Sequence, residues 1–202
     1  MCCMGRCVRK CIEGIFGLVI SAGIVVLIYW AIFQPRQIRA TVASAALSNL
    51  TVSITSPSAA VSYALAVNLT LYNPSTRVNI YYDAVDARLR FGDAVLAAAA
   101  TAASPSEFYQ RRKETDVVRV EFDGRGVAVD GGVAGEVEKE VKAATVRFEV
   151  DVDLRVRYVF RIFKLRQKPR VRCWISVPVK AEGGGGAVGG VIGSGDRCSV
   201  KY

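Results

Sequence analysis

A chain of 202 residues is long enough for one domain of ordinary size with a segment to spare. Its 27 Lys and Arg exceed its 18 Asp and Glu, for a formal net charge of +9, and it contains no histidine. Without histidine no Ser/His/Asp or Cys/His nucleophile pair and no usual zinc site can be assembled, and the glycine run at 183–186 lacks the lysine of a phosphate-binding loop.

Residues 1–13 read as a short cysteine-rich, basic tail on the cytoplasmic side of a membrane. Cys2, Cys3, Cys7 and Cys11 lie among Arg6, Arg9 and Lys10. Juxtamembrane cysteines in that setting are candidates for S-palmitoylation, the alternative being free thiols in a reducing compartment. With no histidine and no second pair in the same compartment their spacing makes a poor metal site, and no metal or cofactor is expected. From Gly14 to Phe33 the sequence GIFGLVISAGIVVLIYWAIF carries no charge over 20 residues, the length a helix needs to cross a bilayer core. Tyr29, Trp30 and Phe33 near its end suit the headgroup level. A cleaved signal peptide is the competing reading, but the run is longer than an ordinary signal core and IYWAIFQPR lacks a small-x-small cleavage site. Lys and Arg flank both ends and orient the helix only slightly. The sequons Asn49-Leu50-Thr51 and Asn68-Leu69-Thr70 favour a C-terminal part that enters the secretory lumen and is N-glycosylated at Asn49 and Asn68.

Residues 34–45 read as a linker and first strand, 46–180 as a β-sandwich, and 181–202 as a glycine-rich loop with a C-terminal strand. Period-two alternation is the recurring signal. Leu50, Val52 and Ile54 share one face, with sequon Asn49 on the other. Val61, Tyr63, Leu65, Val67, Leu69 and Leu71 repeat the pattern, with Asn68 on the wet face. Val85 to Phe91 and Val118 to Phe122 alternate in the same way. The longest run, Val146 to Phe160, sets valines and aromatics against Arg147, Glu149, Asp151, Asp153, Arg155 and Arg157, and a strand this long is expected to bend or bulge. Val171 to Val179 and Cys198 to Tyr202 supply late strands, and Ala134–Ala143 the one short surface helix. Residues Ala94 to Ser104 fit a weak strand or a loop. Seven or so strands with almost no helix define an all-β chain, an antiparallel sandwich of immunoglobulin-like or fibronectin-like class behind one transmembrane helix.

Cys173 and Cys198 make an even count on the lumenal side and are expected to form a disulfide closing the glycine-rich loop. At YNPSTRVNIYYD, Tyr72 to Asp83, the strand stops. Asn73 can bond its own downstream backbone and Pro74 fixes φ, so a corner is expected, with Val78, Ile80 and Tyr82 facing inward and Tyr81 outward.

The same stretch resembles the NPNxRIGIYYD signature of the plant harpin-induced and non-race-specific-disease-resistance-like membrane proteins, the NHL family. The residues that match are Asn73, Pro74, Arg77, Ile80, Tyr81, Tyr82 and Asp83. EFYQRRKET, with Phe108, Tyr109 and Gln110, resembles that family's second signature, and LRVRYVFRIFKLRQKPRVRCWISVPV is similar to its closing strands. The resemblance implies a late embryogenesis abundant type 2 β-sandwich and a plant plasma-membrane protein with an outward-facing domain, acting in defence or abiotic stress.

The carboxylates Glu149, Asp151 and Asp153 on one strand face raise a hydrolase reading, but an exposed face with alternating charge is the ordinary explanation, and no enzyme is expected. Two basic clusters stand out, Arg111, Arg112 and Lys113, then Lys164, Arg166, Lys168, Arg170 and Arg172. The compartment excludes nucleic acid. The partners expected are the membrane itself, proteins still to be identified, and anionic lipid or acidic wall polysaccharide, and a homo-oligomer is left open. The blander reading of the second cluster is a solubilising linker. The function expected is a non-enzymatic interaction or signalling module at the plasma membrane, the alternative a lipid- or wall-binding module.

Overall fold

The computed structural model of the protein describes residues 3–33, 36–55, 58–160, 163–182, 186–189, 191–193 and 198–202. The chain falls into two units, Met1–Arg36 and Gln37–Tyr202. In the first, a single helix α1 runs Cys3–Phe33. The helix read from Gly14 thus begins about three turns earlier, and the segment read as a tail is helical from Cys3. Its Arg, Lys and Glu residues are good helix formers, and Arg9 pairs with Glu13 at 3.1 Å one turn on. Cys2 lies outside the described residues; Cys3, Cys7 and Cys11 recur every fourth position of α1 and therefore follow one side of its backbone. Over Ile12–Tyr29 the helix is long and apolar enough to cross a membrane.

The second unit contains β1 (Arg39–Thr55), β2 (Ser58–Tyr72), β3 (Asn79–Phe91), β4 (Ala94–Ala97), β5 (Ala102–Ser104), β6 (Phe108–Gln110), β7 (Thr115–Val129), α2 (Gly131–Lys142), β8 (Thr145–Phe160), β9 (Phe163–Gln167), β10 (Arg170–Glu182), β11 (Gly186–Gly189), β12 (Val191–Gly193) and β13 (Ser199–Lys201). One layer is built on β1, β2 and β7, the other on β3, β8 and β10, with neighbours antiparallel throughout. The strand path is β4-β3-β8-β10-β11-β1-β2-β7-β5, with β6 beside β3, β9 beside β8, β13 beside β10 and β12 beside β1.

The alternation read in the sequence sorts residues between core and surface. Val61, Tyr63, Leu65, Val67, Leu69 and Leu71 of β2 are buried, as are Val146, Phe148, Val150, Val152, Leu154, Val156 and Tyr158 of β8. They belong to one contiguous core filled from both layers. Burying each such side chain stabilises the fold by about 1.5–3 kcal/mol relative to leaving it exposed. At the end away from the Tyr72 corner, α2 closes the core with buried Ala134 and Val137.

Four features depart from the sequence reading. The boundary drawn at residue 45 falls inside β1, which is continuous from Arg39 and paired with β2 along its length. Register shifts at Val42/Ser44 and Leu47/Asn49 insert an extra residue twice, so the inward set changes parity and the period-two signal is lost. Ile54, expected inward, is exposed near the strand's end. The bulge expected in β8 lies in its partner: Tyr82 opposes Val156 and Ala84 opposes Arg155, which leaves Asp83 of β3 as the extra residue. The glycine-rich segment read as a loop supplies β11 and β12. Opposite β11, β10 leaves the layer of β8 beyond Pro178, and β11 continues the sheet onto β1. Gly189 makes that junction possible, because a Cβ there would meet Leu47 and lie 2.7 Å from its carbonyl oxygen.

Candidate functional site

Asn73 follows β2 directly and is fully buried. Its side-chain oxygen accepts the Ser75 N–H at 3.0 Å, the turn expected of an Asn-Pro pair, and its amide donates to the carbonyls of Val78 (2.9 Å) and Arg111 (3.1 Å). Its own N–H reaches the Glu114 carbonyl at 3.0 Å. Ser75 Oγ accepts the N–H of Val78 at 3.1 Å and so closes the corner. Val78, Ile80 and Tyr82 then enter the core, while Tyr81 stays half-exposed.

The second motif packs onto the first. β6 pairs with β3 so that Gln110 opposes Ile80 and Phe108 opposes Tyr82. Gln110 is fully buried, accepts the Tyr82 hydroxyl at 3.1 Å and donates to the Leu71 carbonyl at 2.8 Å. Phe108 stacks on Tyr82 at 4.2 Å between ring centroids. Burial pushes the Tyr82 phenol well above its usual range, so it is a donor and not an acid at any physiological pH. Asp116 of β7 lies close by; desolvation raises its carboxyl pKa, partly offset by a hydrogen bond with Gln110, and its Oδ2 has no hydrogen-bond partner among the described residues. Asn73, Ser75, Tyr82 and Gln110 therefore fasten the two layers together. The sequence identified Asn73 as a corner but left Ser75 and Gln110 without a structural role, since their partners lie on strands whose pairing no local pattern reveals.

The outer face of the β3, β8 and β10 layer is a lattice of ion pairs. Asp153 lies between Arg88 and Arg170 (2.7 Å), Asp151 between Arg90 (3.8 Å) and Arg172 (2.9 Å), and Arg172 also reaches Glu149 at 2.8 Å. Arg155 pairs with Asp86 at 2.8 Å. Arg157 bonds bulge residue Asp83 at 2.8 Å and lies 4.5 Å over the Tyr81 ring. The three carboxylates that raised a hydrolase reading are each held by arginine, as expected of a structural face. Arg170, grouped in the sequence with the anion-contacting cluster, is instead engaged with Asp153, as Arg172 is with Asp151 and Glu149. Arg111, Arg112, Lys113, Lys164, Arg166 and Lys168 are exposed, and their charged groups form no ion pair with an acidic side chain among the described residues.

Cys173 and Cys198 are bonded. The bridge continues the β10–β13 pairing, in which Arg172 opposes Ser199. Beyond it the Tyr202 hydroxyl lies 2.9 Å from that of Tyr158 and accepts the Ile38 N–H at 2.8 Å, which fastens the last residue to the entry of β1. Asn49 is exposed, whereas Asn68 is half-buried and its amide donates to Ser44 Oγ at 2.8 Å; both lie on the outer face of the β1–β2 layer.

An antiparallel sandwich with this corner and its Phe-Tyr-Gln strand, preceded by an apolar helix, is a late embryogenesis abundant type 2 domain. The family model described as Late embryogenesis abundant protein matches residues 68–173. Three proteins of Arabidopsis thaliana are similar to the chain. NDR1/HIN1-like protein 3 is 31% identical over 210 residues, with 99% of this chain and 87% of the relative covered. NDR1/HIN1-like protein 10 is 30% identical, covering 80% and 70%, and NDR1/HIN1-like protein 2 is 31% identical, covering 73% and 59%. The chain belongs to the NDR1/HIN1-like family of late embryogenesis abundant domain proteins.

Proposed function

We propose that the protein is a single-pass plasma-membrane protein whose β-sandwich lies outside the cytosol and serves, without catalysis, as an interaction or signalling module in plant defence or stress responses. The Cys173–Cys198 disulfide carries this reading: a bridge that fastens the last strand belongs to an oxidising compartment, which the domain reaches by following α1 across a membrane. Family membership supports the defence and stress setting. The engagement of Glu149, Asp151 and Asp153 in ion pairs, and of Asn73, Tyr82 and Gln110 in a buried lock, supports a binding role over chemistry. A second reading, a module that binds anionic lipid or wall polysaccharide, is favoured by the exposed cations at 111–113 and 164–168. Proximity labelling by the full chain at the plant plasma membrane during pathogen challenge tests the first reading. Defence-linked neighbours are expected, and fewer of them when Gly14–Phe33 is replaced by an unrelated span; no such neighbours with either chain would refute it.

A further inference from the structure

Two basic clusters far apart in the sequence meet at one end of the domain. Gln110 of β6 opposes Ile80 of β3, Asn79 opposes Val159 of β8, and Val159 opposes Lys164 of β9. Arg111, one residue past Gln110, and Lys164 therefore stand at opposite ends of a four-strand row, three strand spacings or about 14 Å apart. The next outward-facing row reads Tyr109, Tyr81, Arg157 and Arg166. Its Tyr81 and Tyr109 rings lie 6.5 Å apart, and Tyr109 is 47% exposed. Arg77, exposed in the Asn73 corner, adds a further cation.

The surplus is local. Farther along the same face Asp151 and Asp153 neutralise Arg172 and Arg170, and Arg157 is matched by Asp83. Glu114, the acid of the 111–114 turn, is engaged by the Arg111 N–H. Two more observations bear on what this end meets. The chain enters the domain here, since Arg39 opposes Tyr72, Tyr72 opposes Thr115, and Asn73 bonds Glu114. Only residues 34–37 lie between Phe33 of the apolar helix and Ile38 in the sequence.

We infer that this end of the sandwich docks on the phosphate headgroups of an anionic lipid surface, with Arg77, the cations of 111–113 and those of 164–168 meeting phosphates and Tyr109 at headgroup depth. The inference rests on the membrane-anchored reading above and adds the partner and the surface.

The test uses the full chain in phosphatidylcholine nanodiscs with or without phosphatidylserine, and reads the rate at which an amine-reactive reagent modifies each lysine. Lys113, Lys164 and Lys168 are expected to react several-fold more slowly when phosphatidylserine is present, with the protection lost as salt shortens the Debye length. Lys139 of α2 and Lys180 of β10, exposed at the far end, are expected to react equally in both discs. Equal rates at all five lysines in a chain that resists alkaline carbonate would overturn the inference alone. Protection by polygalacturonate in phosphatidylcholine discs, without protection by phosphatidylserine, would replace lipid by polysaccharide. A chain that washes off the discs in carbonate would remove the anchored reading and the inference together.

Discussion

Replacing Asn73 by alanine tests whether the corner is a lock or merely a turn. The side chain is fully buried and satisfies three backbone groups: the Ser75 N–H and the carbonyls of Val78 and Arg111. Leaving a buried polar group unpaired costs about 1–3 kcal/mol, and water entering the truncated site would recover part of that. A total loss of about 3–5 kcal/mol is expected. For a protein of this size each kcal/mol lowers Tm by about 2–4 °C, so the Tm of Asn73→Ala should fall by roughly 6–20 °C, read by thermal unfolding of the full chain in detergent micelles. Asn73→Asp keeps the acceptor for Ser75 but sets a carboxylate against two carbonyls, so it should also destabilise, and less so at acid pH where the carboxyl is protonated. A loss within about 0.5 kcal/mol for Asn73→Ala, the size typical of a surface substitution, would refute the lock.

Further perturbations bear on the rest of the frame. Cys198→Ser opens a bridge between residues 25 apart in sequence and should cost about 3 kcal/mol, read as a lower urea midpoint; an unchanged midpoint would show that β13 is held by Tyr202 and its pairing alone. Gly189→Ala places a methyl against Leu47 at the β1–β11 junction and should cost about 1–3 kcal/mol, whereas Gly135→Ala, with open space in α2, should gain about 0.5–1 kcal/mol; equal effects would contradict the described close approach. The Asp116 carboxyl is protonated more readily in the fold than in the unfolded chain. Its contribution therefore lowers stability as pH rises from the unfolded value, about 3.9, through the raised folded one, and is constant above that. Asp116→Asn should raise Tm at neutral pH and change it little below about pH 3.5, and a pH-independent effect would refute the assignment.

Much of this architecture was legible because burial writes itself into alternation. The strands β2, β8 and β10 each keep one parity along most of their length, and β3 keeps one on each side of its Asp83 bulge, so Val61 to Leu71 or Val171 to Val179 declare their inward face. β1 was legible only in part, because two bulges reset its parity and its alanines carry little contrast. β11 was not legible at all: Gly186–Gly189 has no side-chain pattern, and its strand character comes from being trapped between β1 and β10. The same limit applies to the site. Asn73-Pro74 announces a turn through its own chemistry, whereas the role of Gln110 depends on Tyr82 and Leu71, and that of Asp83 on a bulge opposite Arg155 and Arg157. The convergence of the 111–113 and 164–168 clusters likewise follows from register across four strands, a property of pairing and not of spacing.

Topology is the central claim, and protease protection with glycan analysis in sealed microsomes tests it most directly. The chain is expected to stay in the carbonate-washed pellet, to yield a protease-protected fragment of the size of Gln37–Tyr202, and to show a glycosidase-sensitive mobility shift that Asn49→Gln removes wholly or in large part, since Asn49 is exposed and the Asn68 amide is engaged by Ser44. A domain fully digested in sealed vesicles, with no glycosidase shift in the intact chain, would contradict it.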